Sequence, residues 1–311
     1  MQTTEAIRKR LETTEDLRSI VRTMKALATV SIRQYEDAVA SLAEYARGVN
    51  LGMQALLRLR PDALPEISDS PAVRPGVIVF GSDQGLCGAF NEQIAARCLE
   101  KPPPGKGPGG GGPVLAVGTR VGARLEDAGA ALADALTLPA SASMIAPLVG
   151  EILERIDAWR ASGELDGVHL YFNRADPGAI FRPHDEVLLP IPLSHLRALA
   201  VAPWRPRAFP ALAMDWETLF SAVVREHLFV SLHRALAESL ASEHAARRAA
   251  MHAAERNIDD RLALLRGEFN LQRQSSITNE LLDIVSGYEV LKGEHPRRQV
   301  PSAWSGPNNQ R

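Results

Sequence analysis

The sequence predicts an α/β fold, with a long antiparallel coiled coil of N- and C-terminal helices and a doubly wound, mostly parallel α/β domain. Two observations predict the coiled coil: residues 2–59 and 215–291 lack proline, and both carry apolar residues at helical spacing. A third predicts the α/β domain, because short apolar runs alternate with amphipathic runs between these two arms. The predicted segments are a first coiled-coil helix over 1–60, the α/β domain over 61–213, a second coiled-coil helix over 214–293 and a flexible tail over 294–311.

Composition excludes several classes of protein. The chain has 311 residues, a formal net charge of −2 and 45% hydrophobic residues, which argues against nucleic-acid binding through a basic surface. Its two cysteines, Cys87 and Cys98, exclude a disulfide scaffold and a four-cysteine zinc site, and we expect both thiols to be reduced. No uncharged apolar run approaches ~18 residues, and residues 1–10 lack the apolar core of a signal peptide. The sequence therefore predicts a soluble cytoplasmic protein without bilayer insertion.

The first arm is predicted to be one helix from Gln2 to about Leu59. Its seam alternates steps of four and three residues, which is typical of a helix that packs along another helix. The seam consists of Ile7, Leu11, Thr14, Leu17, Val21, Met24, Ala28, Ser31, Tyr35, Ala38, Leu42, Tyr45 and Val49. At 1.5 Å per residue the helix would be roughly 80 Å long. This length favours a protruding coiled coil over the alternative, an ordinary amphipathic helix packed on a globular core.

Five short strands are predicted between the arms, over residues 77–80, 114–117, 133–138, 168–172 and 187–189. Helices are predicted over 91–99, 120–128 and 141–161. Because the strands alternate with helices, the sheet is expected to be mostly parallel, with helices on both faces. The run of glycine and proline over 101–113 cannot form regular structure, and we expect it to be a flexible surface loop.

A strand–glycine–helix corner contains Gly81, Gly85 and Gly88 and suggests a nucleotide site. A Walker loop ends in Gly-Lys-Ser/Thr, whereas this chain has Leu-Cys-Gly at 86–88, and the glycine spacing does not match the Rossmann fingerprint. The Gly-Lys-Gly at 105–107 is not followed by serine or threonine. We therefore predict that the three glycines form a tight structural turn. An enzyme that binds a nucleotide at this corner is the weaker alternative.

No other pattern predicts catalysis. The motifs HExxH, CxxC and GxSxG are absent, and the histidines at 227, 233, 244 and 252 lack the i, i+4 spacing of paired metal ligands. Cys87 would act as a nucleophile only beside a histidine, and its apolar neighbours favour burial. We expect no catalytic residue, no cofactor and no metal site in this chain.

The second arm is predicted to be a helix from Asp215 to about Leu291 with a less apolar seam. Small residues occupy its central seam positions, which lets two helices approach closely. Larger residues return towards its end, at Ile258, Leu262, Leu265, Phe269, Ile277, Leu281, Ile284 and Val285. We expect the two arms to pair antiparallel, and residues 294–311 to form a loose tail.

Three separated segments carry motifs of one known family. Residues 7–11 and 20–28 have the sequences IRKRL and IVRTMKALA, similar to the family's opening helix with its Met-Lys pair. Residues 82–91, SDQGLCGAFN, are similar to its block SDRGLCGGLN. Residues 270–281, NLQRQSSITNEL, are similar to its signature NKARQAAITQEL. In order, spacing and helix context the chain resembles the gamma subunit of F-type ATP synthases over nearly its whole length.

This resemblance implies a rotor, the central stalk of an ATP synthase. In the family the coiled coil stands inside a ring of three alpha and three beta subunits, and the α/β (Rossmann-like) domain touches the epsilon subunit and the membrane c-ring. Catalysis of ATP synthesis or hydrolysis then belongs to the beta subunits, coupled to hydrogen or sodium ion transport. The chain would be peripheral, on the cytoplasmic face of the bacterial inner membrane.

The resemblance also assigns partner contacts. Met24 and Lys25 lie where the family's shaft meets an acidic loop of beta, although Met24 also occupies a seam position and could be coiled-coil core. Four residues of the second arm lie where hydrogen bonds to the ring resist or gate rotation: Arg273, Gln274, Thr278 and Glu280. Arg273 could alternatively pair with an acidic residue of its own helix.

The chain departs from the family at several positions. The basic run after the Met-Lys pair is VSIRQ here, at 30–34, and the arginine of the middle block is Gln84. These changes suggest a divergent, alternative sodium-linked branch, a hypothesis that a cognate ring without sodium ligands would contradict. The competing interpretation for the whole chain is a non-rotary coiled-coil scaffold or adaptor, which predicts a stable homodimer in isolation.

Overall fold

The computed structural model describes residues 4–61, 73–103, 111–204 and 214–293, with side chains described up to residue 289. In chain order the elements are α1 (Thr4–Leu59), β1 (Pro75–Phe80), α2 (Phe90–Glu100), β2 (Val114–Val117), α3 (Thr119–Asp127), β3 (Asp134–Leu136), α4 (Ile145–Ala161), β4 (Gly167–Asp176), β5 (Ala179–Leu189), α5 (Leu193–Val201) and α6 (Trp216–Gly293). Residues 104–110 of the predicted loop and the predicted tail lie outside the described residues.

The five strands form one sheet in the order β3-β2-β1-β4-β5. The first four strands are parallel, with Val77 opposite both Val114 and His169. Strand β5 runs antiparallel to β4. All six residues of β1 are buried, because parallel strands covered by helices on both faces are apolar throughout. The mostly parallel α/β fold predicted from the sequence is thus confirmed.

The alternation of side chains along β1 divides the core into two layers. Ile78 and Phe80 face one layer, where they pack with α4 and α6. Val77 and Val79 face the other layer, where they pack with α2 and α3. Because successive side chains of a strand point to opposite faces, helices on both faces give a doubly wound domain.

The prediction for the last strand was too short. Instead of residues 187–189, β5 spans Ala179–Leu189 and forms a hairpin with β4, which itself extends to Asp176. Most of β5 is at least partly exposed and carries polar side chains, since it is an edge strand with one open side. Such a strand lacks the continuous apolar run that identified the others, and Pro183 within it is compatible with an edge position. Helix α5 was not predicted at all.

The chain consists of two compact units, Ile20–Glu255 and Met1–Ser19 with Arg256–Arg311. In the larger unit, Arg22 pairs with Glu255 at 2.6 Å, and Trp216 Nε1 donates to the carbonyl of Leu56 at 3.0 Å. Residue numbers therefore rise along α1 while they fall along α6, which is antiparallel pairing. This confirms the predicted direction of the two helices.

In the smaller unit the ion pairs Glu15–Arg266 (2.7 Å) and Arg18–Asp259 (3.3 Å) also join antiparallel segments. Ile7, Leu262 and Leu265 are buried there.

The predicted seam of α1 was wrong at two positions, since Leu17 is 50% exposed and Tyr45 is 47% exposed. The helix period of 3.6 differs from the seven-residue repeat, so single seam positions rotate outwards along a long helix.

Among the described residues, no helix combines the length and the hydropathy that crossing a bilayer requires.

Candidate functional site

The turn after β1 is built around the side chain of Asn91. The Ser82 amide donates to Asn91 Oδ1 at 2.9 Å, and Asn91 Nδ2 donates back to Ser82 Oγ at 2.8 Å. Gly81 lies so close to α3 that an added Cβ would stand 2.2 Å from Val121. Leu86 and Gly88 both have positive φ, 64° and 63°. These contacts describe a tightly constrained turn at the carboxyl end of β1.

Asp83 connects this turn to the ends of the neighbouring strands. One carboxylate oxygen accepts the Thr119 amide at 2.8 Å, and the other accepts the Leu138 amide at 2.7 Å. Thr119 begins α3, and backbone amides at a helix N-terminus are the groups that would bind a phosphate. Because the side chain of Asp83 occupies the Thr119 amide, this donor is already bound within the chain.

A buried ion pair of α6 lies beneath the same turn. Arg247 Nη2 donates to Glu243 Oε1 at 2.6 Å and to the carbonyls of Gln84 at 3.2 Å and Gly85 at 3.4 Å. Burial raises the pKa of Glu243 to about 6, against the opposing effect of Arg247. Burial, and then Arg247, lower the pKa of His244 to about 4. This cluster fixes the turn of the α/β domain to the helix that forms the second arm.

Both cysteines are free and buried in the structure. Burial raises the pKa of the Cys98 thiol to about 12, and burial is also the main cause that raises the pKa of the Cys87 thiol. A raised pKa disfavours the thiolate, which is the nucleophilic form of cysteine. The environment of Cys87 therefore argues against nucleophilic catalysis.

Met24 and Lys25 lie on α1 in the larger unit, and both are half-buried. Lys25 Nζ donates to Glu255 Oε2, while Arg22 donates to the other oxygen of the same carboxylate. The hydrogen bonds from Lys25 and then Arg22 lower the pKa of Glu255 to about 2. Lys25 is thus engaged with its own chain, so a partner would have to share or displace this contact.

The four residues assigned on the second arm lie together near the end of α6. Arg273, Gln274, Thr278 and Glu280 are all exposed. Thr278 Oγ1 donates to the Gln274 carbonyl at 2.9 Å. In the described part of the chain Arg273 forms no salt bridge.

The apolar residues between them are exposed as well. The sequence placed Ile277, Leu281, Ile284 and Val285 in the coiled-coil seam, but they are 45–72% exposed. Along α6, no described residue beyond Leu265 is buried. The expectation of a packed seam was wrong here, since no described element buries these side chains.

Sequence reasoning missed the charged partners inside the chain. Glu243 and Arg247 have the i, i+4 spacing of a helical ion pair, a signal that was available but is common on solvated helices. Asp83 and Glu255 gave no such signal, because their partners lie on other elements. Among the described residues, no group of three or more histidine, cysteine, aspartate or glutamate side chains could hold a metal ion.

Comparison with known proteins decides the family. The family model described as ATP synthase matches residues 3–291. The chain belongs to the gamma-subunit family of ATP synthases. Its role is therefore that of a central-stalk subunit, and the scaffold and nucleotide-enzyme alternatives are not favoured.

Similar proteins agree with this assignment. The ATP synthase gamma chain of Xanthomonas oryzae pv. oryzae (strain PXO99A) is 26% identical over 291 residues, covering 90% of this chain and 96% of the relative. That of Cupriavidus pinatubonensis (strain JMP 134 / LMG 1197) is 27% identical, covering 92% and 99%. A chain from the OSCP/F1/c-ring structure of Euglena gracilis mitochondrial ATP synthase has a TM-score of 0.67 at 17% identity, covering 97% and 99%. The structural likeness supports the fold.

Proposed function

We propose that this chain is a non-catalytic rotor that couples ion flow through a membrane ring to ATP synthesis or hydrolysis on partner beta subunits. The observation that carries the proposal is that apolar side chains at the end of α6 are exposed, with no partner helix among the described residues. Exposed apolar residues in a continuous series mark an interaction surface. A sleeve made of three alpha and three beta subunits would cover this surface and leave the helix free to turn.

The polar residues of this segment provide contacts that vary with rotation. Arg273, Gln274, Thr278 and Glu280 present one cation, one anion and two neutral groups on the exposed helix end. We infer that they form hydrogen bonds with the ring at particular angles and so resist or gate rotation. Met24 and Lys25 would meet an acidic loop of beta, with Lys25 shared between that loop and Glu255.

An asymmetric shaft can make three equivalent beta sites unequal. The two helices differ in length and in the face they expose, so each beta subunit would meet a different surface at any moment. A ligand equilibrium shifts only through differential contacts, and rotation supplies these contacts in turn. The α/β domain would contact the epsilon subunit and the membrane c-ring, as a peripheral subunit on the cytoplasmic face of the bacterial inner membrane.

Reconstitution tests this proposal. The cognate alpha and beta subunits are assembled with and without the chain, and steady-state ATP hydrolysis is measured. We expect one copy to join three alpha–beta pairs and to switch on steady hydrolysis. A chain that neither joins nor stimulates would contradict the rotor function, and a stable homodimer would then favour a scaffold.

Two variants distinguish an effect on the contact between α6 and the alpha–beta ring from an effect on folding. Ile277→Asp and Leu281→Asp change exposed side chains, so we expect the isolated chain to keep its stability within about 0.5 kcal/mol. In the complex they should lower the number of ions pumped per ATP hydrolysed, because a charge on this apolar surface weakens the contact between α6 and the alpha–beta ring. Val201→Asp, at an exposed position on α5, serves as the matched comparison and should leave pumping per ATP unchanged. Unchanged pumping per ATP in the first two variants would count against this role.

A further inference from the structure

A cavity in the larger unit lies outside all the contacts described so far. It has a volume of about 420 Å³ and lies between α1, the end of the β4–β5 hairpin and α6. Its walls combine apolar and charged groups: Val39 and Glu36 from α1, Arg174 and Pro177 from the hairpin, and residues of α6. No contact of the turn, the Glu243–Arg247 pair or the Lys25–Glu255 pair involves this cavity.

Two polar atoms of the cavity wall lack a hydrogen-bond partner among the described residues. They are Ser242 Oγ and Glu238 Oε2, both of which are buried. Ser242 as a whole is 1% exposed, and the nearest cation to the Glu238 carboxylate, Arg234, is 3.8 Å away. Burial of a polar group without a hydrogen-bond partner is unfavourable. These atoms therefore define a place where a hydrogen-bond donor would be stabilised.

The charges around the cavity favour a cation. Glu36, Asp176 and Glu238 face it, with Arg174 as the only cation among its lining residues. Asp176 is already bound by Arg182 at 2.6 Å. Arg234 lies 3.8 Å from Glu238 but donates its short hydrogen bonds to Glu186, at 2.8 and 3.0 Å, so Glu36 and Glu238 remain opposite Arg174. Burial raises the pKa of Glu238, so a cation that enters would stabilise the charged carboxylate. A metal ion fits less well, since the described residues contain no metal-binding group of three acidic, histidine or cysteine side chains.

We propose that this cavity receives the side chain of a lysine or arginine from another subunit of the ATPase complex. Val39, Ala241 and Pro177 form an apolar wall for the methylene stem, and Glu238 with Ser242 accepts the charged end. Long basic side chains bury their stems on apolar surface in this way. An amine without a methylene stem would leave the apolar wall uncovered, which favours a long basic group, and a free polyamine is an outcome of the test below. The inference rests on the proposed function, because it requires a partner subunit.

Binding measurements with the full-length chain test this inference. The wild-type chain and Glu238→Gln are bound in turn to the separately purified alpha–beta ring, epsilon subunit and membrane ring, and the affinities are measured by interferometry. For one of these partners we expect Glu238→Gln to weaken binding by about tenfold or more, as the loss of a buried charge contact does. The double variant Glu36→Gln/Glu238→Gln should weaken it further.

Glu154→Gln is the matched control. Glu154 lies exposed on α4 and does not line the cavity, so we expect its substitution to change each affinity less than twofold. Circular dichroism of each variant verifies that the fold is retained. Because Glu238→Gln preserves the shape of the side chain and removes a charge that burial disfavours, it should not unfold the chain.

The alternative outcomes are distinct. Equal affinities of the wild-type chain and the double variant for every subunit would overturn the inference while leaving the rotor function intact. Calorimetric binding of spermidine that Glu238→Gln abolishes, with unchanged subunit affinities, would also overturn it and assign the cavity to a free amine. If the wild-type chain itself joins no subunit, the proposed function fails, and this inference fails with it.

Discussion

Individual charged residues act in opposite directions on the stability of this chain. Glu255 accepts hydrogen bonds from Lys25 and Arg22, which lower its pKa to about 2. Glu243 is buried, and its pKa is raised to about 6 although Arg247 lies beside it. A lowered carboxylate pKa stabilises the folded chain at neutral pH, whereas a raised one costs stability there. Acidification therefore removes a stabilising contribution at Glu255 and relieves a destabilising one at Glu243.

The variant Glu255→Gln tests the first of these effects. In the wild-type chain the folded-state pKa of Glu255 lies below the ordinary value of 4.5. Glu255 therefore contributes stability above pH 4.5, and this contribution is lost as the pH falls towards 2. We expect wild type to be more stable than Glu255→Gln at pH 7, with a difference that shrinks below pH 4.5. Urea unfolding of both proteins at several pH values measures this difference.

Glu12→Gln is the control for that series. Glu12 pairs with Arg8 on one exposed helical turn, and exposed pairs of this kind contribute about 0.3–0.5 kcal/mol. We expect it to change stability little at any pH. A wild-type advantage over Glu255→Gln that stays constant from pH 2 to pH 7 would show that the ion pair is not its source.

At the scale of the element, the turn after β1 shows why three glycines of one motif are not equivalent. Only Gly81 has no room for a side chain, because its Cβ would meet Val121 and the Asn91 side chain. Gly88 has open space but a φ of 63°, which strains other residues. Gly85 has neither constraint. The spacing of the glycines identified a turn, while their separate roles depend on the position of α3.

Alanine substitutions should separate these roles. We expect Gly81→Ala to destabilise the chain by about 1–3 kcal/mol through overpacking, and Gly88→Ala by about 1 kcal/mol through its backbone conformation. Gly85→Ala should stay within about 0.5 kcal/mol. Thermal unfolding monitored by circular dichroism ranks the three variants by their loss of stability. A loss for Gly85→Ala as large as that for Gly81→Ala would contradict the packing explanation.

The same contrast explains which elements could be predicted from the sequence. Strands β1 and β2 are apolar throughout and bounded by glycine or proline, so their local pattern was sufficient. Strand β5 is stabilised by pairing with β4 at an edge, and its polar residues carried no signal of their own. On α6, Ile277 and Leu281 had seam spacing, but spacing does not show where the opposing helix ends. Local patterns predict elements, whereas partners require the three-dimensional structure.

At the scale of the whole molecule, the two compact units differ in how their helical segments are covered. The larger unit, Ile20–Glu255, buries the face of α6 that carries Leu228, Leu232 and Leu236. In the smaller unit, α6 beyond Leu265 has no buried residue up to residue 289. A helix without tertiary packing is marginally stable in water. We therefore expect the order of this segment to depend on assembly.

Hydrogen exchange tests this dependence. In the isolated chain we expect the amides of 272–289 to exchange faster than those of 228–251, because local opening costs little where few apolar contacts are broken. Assembly with the alpha and beta subunits should slow exchange in 272–289, since a partner that binds only the ordered helix stabilises it. Residues 228–251 serve as the internal reference and should change little. Equal exchange of 272–289 in the isolated and assembled chain would show that the ring does not enclose the end of α6, which would contradict the proposed seating of the rotor.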